Sequence, residues 1–220
     1  LPTTTVENYL KTLYVEQQRA DHVLVAMGAI AAAMQVAPGT ATAMVKTLAE
    51  AGLVEYEPRE GARLSSKGEK LALHVLRRHR LVELFLVEVL GLDWSEVDVE
   101  AEELEHSISE KVLAKIDQYL GFPQVDPHGD PIPSAKGKVS QRPMVSLAEC
   151  ALGRPMRVAR VMDQNPQFLQ FLDRNSLRPG TELVVNGRDD EADAVSVHPR
   201  NHPPLTLGTM AAAKILVEAM

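Results

Sequence analysis

Glu102, Glu105 and His106 stand at i, i+3 and i+4, a spacing that puts two carboxylates and an imidazole on one helical face. Oxygen donors joined by an imidazole, with no thiolate, suit manganese or ferrous iron, and zinc, cobalt and nickel accept the same groups. A solvated Glu-rich face closed by a His near a helix C-terminus accounts for the same residues, and spacing alone leaves both readings open. His79 and Glu83, at i and i+4, would form a second cation site with Asp98 if a helical hairpin brought them together. An ion pair within one helix and an acid at the start of the next explain them equally well. A third group addresses phosphate. Pro38, Gly39, Thr40, Thr42 and Lys46 fall on the outward side of a short helix, and Arg59 and Arg63 lie in the hairpin that follows. Thr hydroxyls and methyls can meet phosphates and thymine, but no Arg, Asn or Gln on that helix face offers a bidentate base contact. Sequence preference would then lean on DNA shape and half-site spacing.

The elements that must carry these residues are marked by their ends. Capping-box pairs Thr4/Glu7, Ser66/Glu69, Ser95/Asp98 and Ser107/Glu110 predict helices over about 4–18, 67–91, 96–106 and 109–120. Between the first two, residues 26–34 read as an Ala-rich helix and 35–37 as a turn. Pro38 opens a helix running to Gly52, with Ala41, Met44, Val45 and Leu48 at core spacing. Residues 53–57 and 62–64 form a hairpin around Pro58-Arg59-Glu60-Gly61. Helix, turn, helix and hairpin make a winged helix-turn-helix. Residues 121–143 are rich in Pro, Gly, Ser and Lys and read as loop and linker. Beyond them, 156–162, 182–186 and 194–197 read as strands and 166–174 as a short helix.

At 220 residues and 45% hydrophobic content the chain can bury more than one core, which excludes whole-chain disorder. The net charge of -7 is unevenly spread. Residues 1–80 carry 10 basic and 8 acidic side chains, 81–130 carry 2 and 13, and 131–220 carry 11 and 9. An acidic centre suggests cations, while a mildly basic first third permits DNA. The longest apolar run, 81–90, is broken by Glu83 and Glu88, so no membrane span is expected. With Cys150 as its single cysteine and no signal segment, the chain is expected in the cytoplasm.

Six ordered motifs then carry a resemblance. They are Thr4-Thr5-Val6-Glu7-Asn8-Tyr9-Leu10-Lys11-Thr12-Leu13-Tyr14, Val36 to Val45, Leu64-Ser65-Ser66-Lys67-Gly68, His79-Arg80-Leu81, Glu102-x-x-Glu105-His106, and Pro127-His128-Gly129-Asp130-Pro131-Ile132-Pro133. Together, and over the whole chain, they resemble the diphtheria toxin repressor family of metal-dependent regulators. The resemblance implies a homodimer formed by the central helices, a winged helix presented to double-stranded operator DNA, and a C-terminal SH3-like barrel. It also implies a primary cation site in which Asn8 joins Glu102, Glu105 and His106. An ancillary site would use His79, Glu83 and Asp98, with Gln164 and Gln167 reaching over from the barrel. Glu at position 102, where the iron regulators of the family carry Cys, puts Mn2+ ahead of Fe2+. Lys11 stands where the short manganese regulators carry a second-site Glu, and a cationic group there repels a second ion.

The expected fold is thus mainly α with a small β domain: a winged helix-turn-helix over 1–66, a helical metal-binding and dimerisation domain over 67–134, a linker over 135–145 and an SH3-like domain over 146–220. The expected function is metal-activated transcription regulation, as a repressor, of metal-homeostasis genes. A winged-helix regulator that has lost metal control is the alternative. A carboxylate-bridged metalloenzyme is disfavoured, because paired Glu-x-x-His motifs and a nucleophile beside a base are both missing from the sequence. A protein-interaction module rests only on the barrel.

Overall fold

The computed structural model describes residues 3–19, 24–140 and 142–220. They form two compact units. One comprises the residues through His79 together with Pro133–Lys138, the other Arg80–Ile132 with Val139–Met220.

In the first unit, α1 (Thr4–Arg19), α2 (Met27–Ala33) and α3 (Pro38–Glu50) precede an antiparallel hairpin of β1 (Val54–Glu57) and β2 (Gly61–Leu64), and α4 (Ser66–Glu88) begins directly after it. Pro38 sits in the first turn of α3, where its missing N–H leaves no bond unmade. Ala41, Val45 and Leu48 are buried and Met44 packs beside them, with Leu10, Leu13, Ile30 and Ala62 in the same core. The hairpin is tied inward by a bridge from Val25 to Ala62. Gly68 admits α4 to this core, because a Cβ there would lie 2.0 Å from the Leu53 carbonyl oxygen.

Three of the four expected capping boxes are displaced to a nearby hydroxyl, and the fourth does not form. Thr3 rather than Thr4 caps α1, accepting from the Val6 N–H at 3.4 Å. Ser65 rather than Ser66 caps α4, accepting from the Gly68 N–H at 3.1 Å. Neighbouring hydroxyl residues satisfy the same pattern, and the apolar face that must point inward selects between them.

The second unit contains α5 (Val97–Glu105), α6 (Glu110–Tyr119) and a six-stranded antiparallel sheet. Ser109, not Ser107, caps α6 through the Val112 N–H. Ser95 does not cap α5; its N–H donates instead to Asp93 Oδ1 at 2.8 Å. The sheet uses β3 (Val145–Ser146), β4 (Pro155–Val161), β5 (Glu182–Asp189), β6 (Ala194–Pro199), β7 (Leu205–Gly208) and β8 (Ile215–Ala219), in the order β3-β8-β4-β5-β6-β7. α7 (Pro166–Arg174) and α8 (Thr209–Ala213) pack on it. β3, β7, α8 and β8 escape the sequence reading, being short and weakly alternating. Trp94, from the connection between α4 and α5, is fully buried in the barrel core among Leu147, Val158 and Leu177. Gly129, at φ +86°, lies so close to β4 that a Cβ would come within 2.0 Å of the Ala159 carbonyl oxygen. The loop over 126–132 and the barrel are therefore in backbone contact.

Among the described residues no single helix is long and apolar enough to cross a membrane.

Candidate metal centre

α5 holds the first expected ligand set. Glu105 is fully buried, Glu102 and His106 are half-buried, and the carboxylates of Glu102 and Glu105 approach within 4.8 Å. His106 Nε2 lies 3.2 Å from Glu105 Oε1. A carboxylate with no exposed surface is costly unless a positive charge faces it, and a divalent ion supplies that charge to all three groups at once. The residues present therefore fit a cation.

A second cluster gathers around Glu83 on α4. Its carboxylate and that of the exposed Asp98 come within 4.8 Å of each other. His79, which ends the first unit, lies one turn before Glu83 on the same helix. Glu83 also groups with Asp126 and His128, all three buried, with candidate ligand atoms within 4.8 Å of one another. The sequence reading passed over this set. Asp126 and His128 frame Pro127 in a loop, without helical periodicity, and the signal was the Asp-x-His spacing beside Gly129 and Asp130.

The hydrogen bonding of His128 defines its role. Its Nε2 lies 2.8 Å from the Trp94 carbonyl oxygen, which can only accept, so that nitrogen carries the proton. In the neutral ring Nδ1 then offers a lone pair, and it lies 3.7 Å from Glu83 Oε1, too far for a hydrogen bond. Among the described residues Nδ1 has no hydrogen-bond partner. A ring fixed through one nitrogen, with the other turned toward carboxylates, is how imidazole is presented to a metal.

Charge points the same way. Asp126 Oδ1 accepts from the N–H groups of His128 (2.8 Å) and Asp130 (2.9 Å). Arg80 lies 3.5 Å from both Asp126 and Asp130, and Arg160 of β4 pairs with Asp130. Even so, burial and then the carboxylates of Asp130 and Glu83 hold the Asp126 carboxyl well above the usual range, against the pull of Arg80.

The remaining expected ligands differ in what they show. Gln164 donates its amide to Asp130 Oδ2 at 3.0 Å, so it supports the cluster through Asp130. Gln167 is exposed in the first turn of α7, where its backbone N–H donates to Asn165. In the first unit, Asn8 Oδ1 is buried and has no hydrogen-bond partner among the described residues, the condition of an atom that a ligand completes. Lys11 Nζ lies 3.4 Å from His79 Nδ1, and Arg78 pairs with Glu7 at 2.9 Å.

The expected DNA face is largely outward. Pro38, Gly39, Thr40 and Lys46 are exposed on α3, whereas Thr42 is half-buried and donates its hydroxyl to the Pro38 carbonyl at 2.8 Å. Arg59 sits at the hairpin tip with φ +72°, and Arg63 is paired across the hairpin with Glu55 at 2.7 Å.

Residues 2–62 match the family described as iron dependent repressor, N-terminal DNA binding domain; residues 65–134 match iron dependent repressor, metal binding and dimerisation domain; and residues 145–219 match the FeoA domain. The chain is 32% identical over 192 residues to the iron-dependent repressor IdeR of Mycobacterium leprae, covering 84% of this chain and 82% of that protein. It is 28% identical over 197 residues to the diphtheria toxin repressor of Corynebacterium diphtheriae, covering 84% and 85%. A solved manganese-dependent transcriptional repressor in complex with manganese superposes with a TM-score of 0.87 at 37% identity, over 98% of this chain and all of that one. These proteins are regulators and not enzymes, and with three consecutive domain matches the chain belongs to the family of iron- and manganese-dependent transcriptional repressors.

Proposed function

We propose that the protein represses transcription as a homodimer that binds operator DNA when Mn2+, or secondarily Fe2+, occupies the α5 site, and that it governs metal-homeostasis genes in the cytoplasm. The observation that carries this reading is the fully buried Glu105 carboxylate, faced by Glu102 and His106, on a chain whose first unit is a winged helix-turn-helix. When bound, the ion supplies fixed positive charge and a coordination geometry. Glu102, Glu105 and His106 hold it, and Asn8 is a further, neutral donor only as the family resemblance implies. Glu83, Asp126 and His128 form the ancillary site, with Asp130, Arg80 and Gln164 fixing their orientation. Glu and His without thiolate favour Mn2+.

The dimer face is read from exposed apolar side chains in the second unit, at Val89, Leu90, Val99, Leu104, Val112 and Tyr119, all within the stretch matched as a dimerisation domain. On α3, Thr40 and Lys46 meet the DNA, with Arg59 and Arg63 of the hairpin on flanking phosphates. Gln167 is assigned a place at the ancillary site only by the resemblance.

One observation favours the alternative, a regulator without metal control. Lys11 Nζ lies 3.4 Å from His79 Nδ1, which sets a cationic group beside an expected ligand. Binding to genomic DNA fragments at fixed ionic strength, with Mn2+, Fe2+ or Zn2+ and with chelator, separates the readings. Cation-dependent retention of particular fragments is expected; equal retention in chelator would establish the alternative.

A further inference from the structure

We infer that the outer face of α4 and the turn over 134–138 form a second phosphate-contacting surface, one that grips the backbone of the DNA held by the winged helix. The inference rests on the DNA-binding reading above. Lys67, Lys70 and Arg77 fall at i, i+3 and i+10 of α4, within one face that excludes the buried Gly68, and both lysines are exposed. His74 shares that face, while Glu69 projects from the far flank.

The composition of 121–143 is that of loop and linker, yet its 133–138 portion is structured and belongs to the first, DNA-binding unit. Arg77 Nη1 donates to the Pro133 carbonyl oxygen at 2.6 Å. The turn is closed by Ser134 N–H to Lys138 O at 2.8 Å, Gly137 N–H to Ser134 O at 2.9 Å and Lys138 N–H to Ser134 Oγ at 3.0 Å. Pro133 sits level with Arg77, and Gly137 lies one turn earlier, against Leu73. The segment therefore runs back along α4 toward the end that joins β2 of the hairpin. Lys136 and Lys138, both exposed, are carried in that direction.

Four exposed lysines on a helix face and a closed turn thus continue the DNA-binding unit beyond the hairpin. The hairpin itself carries Glu55, Glu57 and Glu60 against Arg59 and Arg63, and is poorly equipped to neutralise phosphate alone. In a chain with a net charge of -7, such a concentration of cations fits a polyanion, and the polyanion already at hand is the duplex. Because the turn is pre-formed, less freedom is lost when its lysines engage.

The test is the salt dependence of binding to a fragment that the wild-type protein retains in Mn2+. The quadruple variant K67Q/K70Q/K136Q/K138Q is compared with wild type, with thermal melting as the check that it folds. Each phosphate contact removed flattens the slope of log K against log salt by about 0.9, so a slope shallower by about 2 to 4 is expected. Phosphates carry no sequence, so the ratio of affinities for the fragment and a scrambled duplex stays as in wild type. An unchanged slope and affinity in the folded variant overturn the inference and leave the parent reading standing. Failure of wild type to bind any fragment in Mn2+ overturns both.

Discussion

Asp126 shows how single residues set the chemistry of the ancillary cluster. Its carboxyl is pushed up by burial and by its neighbours, so the folded chain holds a proton that the unfolded chain releases at lower pH. For an acid with a raised folded value, the associated stability is full below the unfolded value of about 3.9 and is lost as pH rises through the folded one. The metal-free protein should therefore lose part of its stability as pH rises toward neutrality. Asp126→Asn should recover about 1–3 kcal/mol of it at pH 7 and shrink the rise in Tm produced by Mn2+. Paired melting curves with and without the ion check both effects; a variant less stable than wild type in the absence of metal would contradict the charge argument. The candidate site was partly legible at this scale. Glu102, Glu105 and His106 announced themselves because helical spacing converts sequence into proximity. Asp126 and His128 did not, since a loop sets their positions through turns and contacts with residues far away in the chain.

Elements position these residues through close backbone approach and through their ends. Gly129→Ala should cost more than about 3 kcal/mol, because a side chain there meets the β4 carbonyl at a φ that non-glycine residues rarely adopt. Denaturant unfolding measures that loss, and a cost below about 1 kcal/mol would mean the loop can withdraw from the barrel. Ser109→Ala, removing the one hydroxyl that caps α6, should cost about 1 kcal/mol in the same assay, whereas Ser107→Ala should cost little. Helices, hairpin and the longer strands were legible because their periodicity and punctuation are local. Which of two nearby hydroxyls caps a helix was not, because packing makes that choice. The 133–138 turn was hidden for a similar reason: its Ser, Gly and Lys composition is that of a linker, and its order comes from Arg77 and Leu73 on a distant helix.

For the whole molecule, the central claim is that cation and DNA binding are coupled. The family and its succession of domains were legible in ordered motifs, but the coupling lies in free energies that neither motifs nor distances contain. If the ion tightens DNA binding by some factor, DNA must tighten ion binding by the same factor. Removing a buried ligand should abolish both sides together, so Glu105→Gln should lose most Mn2+ affinity and with it the Mn2+-induced gain in DNA affinity, typically 5- to 150-fold for such couplings. The most direct measurement is the Mn2+ affinity of the wild-type protein alone and in the presence of a saturating duplex. The account predicts tighter Mn2+ binding in the presence of DNA, by the factor with which Mn2+ strengthens DNA binding. Equal Mn2+ affinity in the two conditions would contradict it.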